Sequence, residues 1–450
     1  MPPAVRQRRT SAIALPAGGG QLPEPGRSVP LSPFDAYWVT LPPVRRVFLY
    51  RSRLPFTDVV SALRSSLQRV LPAFHPFAGT LSYSPEPRAL SIVLPEGEGA
   101  CSVTFVEAET DLDFDRLVEE YDEDALPQLA PDIRRDELPA PVMAAQVTEF
   151  VRGGGGVAVG VALHHSAADG RGLWRFLEMW SATAAGVKEG HVLSGPEPLH
   201  DRRLVRFHGD DDLARLFLQQ LAPDFPRVAP KQDAAPEQGR PLSRRTFTFA
   251  ASAVRRLKQR LAAAANTGTP PSTFSAMTAH GWVSIALARG FTDDTPVFAV
   301  FLADCRAHMS PPVPDAYVGN CVALCTASLR GSKLAGPDGP AMALLAIQEA
   351  VAEVKRDPLG DRARWCTKFA AIPPGCAVIL AGSPWFPAYG VDFGFGRPAR
   401  VELASMNHDG EMVLVAGREP GPGSVQASVA IAADKMPAFR GLFGLESESE

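Results

Sequence analysis

Nowhere in the 450 residues do eighteen consecutive apolar residues occur, so no helix of this chain is expected to span a bilayer. The first thirty residues also lack the unbroken apolar centre of a secretory signal. Cysteine is scarce. The six residues Cys101, Cys305, Cys321, Cys325, Cys366 and Cys376 form no Cys-x-x-Cys pair, too few for a disulfide framework and without the neighbouring His or Cys of a zinc site. Buried thiols in a reduced, cytoplasmic setting are expected, and no metal. An excess of one charge is missing as well: 49 acidic against 45 basic residues leave a net charge of −4. That balance supplies no positive field to hold nucleic acid or an anionic membrane. The expected partners are small molecules, and the expected state is a monomer.

What is present is a globular composition, 46% apolar and 21% charged, in a chain too long for one ordinary core. Two domains are expected. Residues 1–222 form the first, with 1–30 as a flexible arm containing Arg6, Arg8, Arg9 and Gly18-Gly-Gly20. A Pro/Gln/Asp-rich stretch over 223–243 reads as a crossover linker, and 244–450 form the second domain, from which about 365–385 is expected to pack with the first. Strands are predicted over 44–50, 81–83, 90–94, 142–151, 157–163, 245–250, 297–302, 376–380, 411–415 and 425–431. Helices are predicted from Thr57-Asp58 up to Pro72, from Gly170 to Gly186, over 252–264 and over 272–288, the last interrupted at His280-Gly281. The glycines of 152–156 predict a hairpin turn. The fold class is α/β, with two mixed sheets.

The most informative stretch runs from Val157 to Gly170, where an apolar strand ends at His164 and His165 and Asp169-Gly170 follow. A strand end delivers a side chain to a fixed place on a sheet rim, and histidine titrates near neutrality. Successive strand residues point to opposite faces, so only one of the two histidines can face a given cleft. His165 is the candidate general base; the plainer reading is a hydrogen-bonded core histidine. Asp169 either orients the imidazole, ties down the loop, or caps the following helix.

His165-Ser-Ala-Ala-Asp-Gly170 together with Asp392-Phe-Gly-Phe-Gly-Arg-Pro398 resembles the two signatures of the plant BAHD acyl-CoA-dependent acyltransferases, His-x-x-x-Asp-Gly and Asp-Phe-Gly-Trp-Gly, in the same order. Tyr317-Val-Gly-Asn-Cys321 is similar to the mark of the branch that acylates anthocyanins and other phenolic glycosides. Leu31-Ser-Pro-Phe-Asp35 and Leu71–Gly79 resemble the family's amino-terminal pattern. The resemblance implies two chloramphenicol acetyltransferase-like domains joined by a crossover loop, with a channel between them that admits acyl-CoA as co-substrate from one face and the acceptor from the other. It implies His165 as general base, with no resident cofactor. It further implies that Asp169 pairs with Arg306 and, with Gly170, supports the site. Asp392, Phe393, Gly394, Phe395 and Gly396 would shape the CoA channel, Phe395 standing where the family has tryptophan.

Three further residues carry open readings. Arg171 is either a solvent-facing residue at the helix start or the cation that grips the free carboxylate of a malonyl donor. Ser383 is a loop serine or an oxyanion donor. Trp385 replaces the cation usual in the glycoside-acylating branch. The expected activity is transfer of an acyl group, malonyl first and hydroxycinnamoyl second, to a hydroxyl of a phenolic or flavonoid glycoside. The alternatives are transfer to an amine, a peptide-synthetase condensation domain, which shares the double histidine, and a non-catalytic relative that binds phenolics.

Overall fold

The computed structural model describes residues 4–16, 27–97, 99–152, 155–186, 196–228, 241–419 and 421–445. The Gly18–Gly20 run, most of the expected linker and two glycines of the predicted turn lie outside the described residues.

The chain divides into two units that are not continuous in sequence. The first comprises residues 1–232, 313–321 and 389–405. Its main sheet is formed by β1 (Val5–Ala14), β3 (Val44–Tyr50), β6 (Ser102–Thr110), β8 (Met143–Phe150), β9 (Gly156–Leu163) and β14 (Arg400–Leu403). Their order is β1-β6-β8-β9-β3-β14. Only β6 and β8 run parallel; the other neighbours are antiparallel. A smaller sheet of β2 (Ser28–Pro30), β4 (Thr80–Ser84), β5 (Ala89–Val93) and β7 (Ala140–Pro141) adds a third sheet to the molecule, where two were expected. β9 is buried along its whole length, which is why it reads as an unbroken apolar run rather than an alternating one.

The helices of this unit include α1 (Pro33–Ala36), α2 (Phe56–Val70), α3 (Phe114–Glu119) and α4 (Gly170–Ala184). α2 turns Val59, Leu63, Leu67 and Val70 inward at helical spacing. Trp180 of α4 donates its indole N–H to Ser66 Oγ of α2 at 3.0 Å, which fixes the two helices together.

Two expectations about this unit are corrected. Residues 5–14 of the supposed arm are an edge strand paired with β6. Their side chains are mostly polar and exposed, three of them arginines, so no apolar pattern announces them. The ladder of backbone hydrogen bonds holds them, while Val5 and Ile13 are buried at either end and Arg6 and Arg8 meet Glu109 at 2.9 and 2.5 Å. Charged side chains of this kind are usual on an exposed edge. The other correction concerns the boundary. Residues 389–405, expected in the second domain, join the first unit, because β14 adds itself to β3 with Arg400 opposite Leu49. The beginning of the expected linker is also fixed in place, Val228 N donating to Asp136 O at 2.9 Å.

The second unit comprises 233–312, 322–388 and 406–450. Its sheet, in the order β10-β16-β15-β13-β11-β12, contains β10 (Leu242–Phe249), β11 (Pro296–Asp304), β12 (Val322–Arg330), β13 (Ala377–Gly382), β15 (Glu411–Ala416) and β16 (Val425–Ala432). β11, β13 and β15 are parallel and the remaining pairs antiparallel. Around it lie α5 (Ala251–Ala264), α6 (Thr273–Ala288), α7 (Gly339–Arg356) and α8 (Met436–Phe443). α6 is continuous through His280-Gly281. His280 is used to hold the carboxyl-terminal helix, its Nε2 lying 2.9 Å from Phe443 O and its ring stacked on that of Phe443.

Candidate active site

β9 ends at Leu163, and the next two residues divide as the pleat requires. His164 is 1% exposed, and its Nδ1 accepts the Ser166 N–H at 3.2 Å. Burial pushes its pKa down to about 3, so it is neutral at any physiological pH. His165 is half-buried. Its imidazole lies almost flat on Trp38, with ring centroids 4.3 Å apart and planes inclined by 22°. Burial also lowers the pKa of His165; its own carbonyl, the Asp169 charge, the Asn320 side chain and the Asp35 charge oppose that shift. The balance leaves a neutral imidazole near pH 7, the form that can accept a proton.

Three side chains from distant parts of the first unit hold the loop that carries His165. Asp35, at the end of the Leu31–Asp35 block, is 0% exposed and closes a capping box with Ser32 at the start of α1. Its Oδ1 accepts from Asn320 N at 3.0 Å and Asn320 Nδ2 at 2.9 Å. Its Oδ2 accepts from Arg202 Nε at 3.2 Å. From this anchor Asn320 Nδ2 donates to His165 O at 2.9 Å, and Arg202 Nη2 donates to Ala167 O at 2.7 Å. Sequence reading gave Asp35, Arg202, Asn320 and Trp38 no role. The capping pattern Ser32-x-x-Asp35 was a local signal for the first of them; nothing local marks Arg202.

Asp169 is the N-cap of α4: Oδ1 accepts Gly172 N–H at 3.1 Å, and Oδ2 accepts Cys321 N–H at 3.2 Å. The aspartate thus ties the loop after His165 both to its helix and to the segment 313–321. Gly170 is the first residue of that helix. Two positions on, Gly172 allows a close approach, since a Cβ there would lie 2.2 Å from Val318 O. Arg171 forms an exposed ion pair with Asp315 at 3.2 Å. Arg306 belongs to the second unit, where its Nη1 lies 3.2 Å from Asp304 Oδ2.

The Asp392–Gly396 motif falls in the first unit rather than in the second domain, 244–450, where it was expected. Asp392 Oδ1 accepts from Gly394 N at 2.8 Å and Gly396 N at 2.9 Å, and both glycines have positive φ, 94° and 100°. That turn needs glycine at both places. Phe393 is buried edge-on to Trp180 at 4.9 Å, and Phe395 is edge-on to Tyr50 at 4.9 Å. Phenylalanine at 395 therefore keeps the ring packing. In the second unit, Ser383 follows β13; its Oγ accepts the Trp385 N–H at 3.2 Å, and Trp385 is 78% exposed. All six cysteines are free thiols. Among the described residues, no helix is long and apolar enough to cross a membrane.

A histidine on a strand end, in a unit with a mixed six-stranded sheet, and a second unit of the same α/β kind define the class. The Transferase family model matches residues 20–444, and the chain belongs to this family, the BAHD acyltransferases; it is an acyltransferase. Among its relatives is a phenolic glucoside malonyltransferase of Arabidopsis thaliana, 28% identical over 93% of this chain and 94% of the relative. A coumaroyl-CoA:anthocyanidin 3-O-glucoside-6''-O-coumaroyltransferase of the same plant is also 28% identical, over 92% of each chain. The crystal structure of vinorine synthase shares the fold, with a TM-score of 0.73 at 19% identity and coverage of 98% of both chains.

Proposed function

We propose that this acyltransferase moves an acyl group, malonyl in the first instance, from its CoA thioester to a hydroxyl of a phenolic or flavonoid glycoside, with His165 as general base. The observation that carries the reading is the His165 imidazole itself, presented at the end of β9, neutral near pH 7 and stacked on Trp38. The names of the relatives support the choice of glycoside acceptor, and the coumaroyltransferase among them keeps hydroxycinnamoyl-CoA as the alternative donor.

In this mechanism His165 Nε2 takes the proton of the acceptor hydroxyl while its oxygen attacks the thioester carbonyl carbon. The tetrahedral intermediate then collapses with cleavage of the carbon–sulfur bond. The departing thiolate takes the proton back from the imidazolium, which yields free CoA and the acyl ester. A thioester is already an activated donor. General-base assistance of this kind contributes roughly 10²–10⁴ in rate, and positioning two substrates contributes more. Ser383, whose Oγ accepts the Trp385 N–H, is the candidate oxyanion donor of this reading. The Asp169–Arg306 pairing, the channel role of Asp392–Gly396, a monomeric state and a cytoplasmic location belong to the same reading.

The test is CoA release, followed with a thiol reagent, over a panel of acyl-CoA donors and phenolic glycosides. His165→Ala should abolish transfer while the melting temperature stays near that of the wild type; normal turnover in this variant overturns the assignment. For the donor, Arg171→Ala should harm malonyl transfer more than acetyl transfer. Equal losses would remove Arg171 from the acyl site.

A further inference from the structure

Two blocks of the sequence, Leu31–Asp35 and Tyr317–Cys321, play no part in the proton transfer just described, yet Asp35 and Asn320 meet at the base. The Asn320 amide has only one workable orientation. Its Nδ2 donates to a carboxylate oxygen of Asp35 and to the His165 carbonyl, and both partners are acceptors, so an exchange of Oδ1 and Nδ2 would set lone pairs against lone pairs. Among the described residues, no hydrogen-bond partner faces Asn320 Oδ1 or His165 Nδ1, both of which are buried. The Asn320 side chain and the carbonyl of His165 itself both act to raise the pKa of the ring, as acceptors do. With the amide N–H groups already committed, what this side offers Nδ1 is oxygen lone pairs. A neutral imidazole in such a place keeps its hydrogen on Nδ1, and Nε2 is then the nitrogen with the free lone pair.

We propose that Asn320, anchored on Asp35, is the positioning residue of the base: it holds the His165 carbonyl and ring so that the proton stays on Nδ1 and the Nε2 lone pair is presented to the acceptor hydroxyl. The inference rests on the reading of His165 as the base. It gives the Tyr317–Cys321 block a task in proton transfer rather than in choosing the acceptor. It also accounts for an amide at position 320. An aspartate would set a second carboxylate against Asp35 Oδ1, whereas an amide donates to Asp35 and to the carbonyl at once. Arg202 completes the frame by balancing the Asp35 charge and by fixing Ala167 O two residues beyond the base.

The tautomer can be read directly by nitrogen-15 NMR of the histidine side chains in the full chain at pH 7.5. The expected result is His165 protonated at Nδ1 and bare at Nε2 in the wild type, and a mixture of tautomers in Asn320→Ala. In kinetics, Asn320→Ala should lower kcat about 10²-fold, the lower end of what a positioned base supplies. The KM for acyl-CoA should stay within about twofold, and the acid limb of the pH profile should move to lower pH as a side chain that raises the pKa of the ring is lost. A wild-type ring protonated at Nε2 overturns the proposal, as does an Asn320→Ala protein with unchanged tautomer and kcat. Should Asn320→Ala fail to fold, the wild-type tautomer still decides, and Asn320→Ser supplies the kinetic arm. Because the NMR measurement needs no turnover, a wild type that transfers no acyl group would sink the reading of His165 as base without touching the tautomer result.

Discussion

Replacing Asp169 with alanine separates a structural aspartate from a chemical one. Its carboxylate accepts two buried backbone N–H groups, Gly172 N at the start of α4 and Cys321 N in the segment 313–321. Loss of an N-cap costs about 0.5–2 kcal/mol, and leaving the Cys321 N–H without a partner adds about 1–3 kcal/mol. The combined loss of roughly 2–5 kcal/mol corresponds to a fall in melting temperature on the order of 5–15 °C. Asp169→Asn should fall between alanine and the wild type, since its remaining carbonyl oxygen can satisfy one of the two N–H groups and its amide cannot satisfy the other. Calorimetry gives the melting temperatures. Initial rates at a temperature where all three proteins are folded give the activity. The Asp169 charge also helps to hold the His165 pKa up, so the acid limb of the rate profile should move to lower pH in both variants. The reasoning is refuted if Asp169→Ala melts within about 1 °C of the wild type and is nonetheless inactive. That outcome would give the carboxylate a direct part in the chemistry.

Two further outcomes follow from the same surroundings. Gly172→Ala sets a methyl group 2.2 Å from Val318 O, and relief of such overpacking typically costs about 1–3 kcal/mol; a lower melting temperature with reduced kcat is expected, and an unchanged melting curve would show that segment 313–321 yields freely. Acid should weaken the fold through His164. Its folded pKa, about 3, lies below the ordinary value of 6.5, so below pH 6.5 the unfolded chain binds a proton that the folded chain refuses. Stability is therefore full above pH 6.5 and falls as the pH drops toward 3, by roughly 2 kcal/mol at pH 5 from this residue. Denaturant titrations at pH 7.5 and 5 should show a smaller difference for His164→Asn than for the wild type; an equal difference would place the acid sensitivity elsewhere.

Elements that bury one face or both were legible from the sequence. β3, β9 and α4 stand close to where apolar runs and helical spacing put them, and His165 stands at the strand end because the run stops there. β1 was not legible, since Arg6, Arg8 and Arg9 give it the composition of a tail and only the ladder to β6 makes it a strand. β14 hid for a related reason. Two of its four residues, Arg400 and Glu402, are charged, and they are buried as a pair with 2.7 Å between Nε and Oε1. A charge that carries its own partner inside looks like a surface residue in the sequence. The composition of the two units was hidden more deeply. No local pattern says that 313–321 and 389–405 return to the first unit, and the frame around His165 draws on residues 35, 202 and 320, whose separation in the chain is closed only by the fold.

The two adjacent histidines show how much of the site comes from placement rather than residue type. Pleat geometry sends them to opposite sides. His164 enters the buried interior, where its Nδ1 lone pair is taken by the Ser166 N–H and the neighbouring His165 and Arg135 reinforce the effect of burial on its pKa. It has neither a free lone pair at Nδ1 nor a pKa within reach of neutrality. His165 suffers the same desolvation, but Asp169 and Asp35 act on it with the opposite sign. Those two carboxylates are held in place by backbone N–H groups, by Arg202 and by Asn320, so the charges that tune the base are the same ones that fix its loop. A substitution in that frame will for this reason move the pH profile and the stability together. Only a direct view of the imidazole protons separates the positioning of the base from the integrity of the loop.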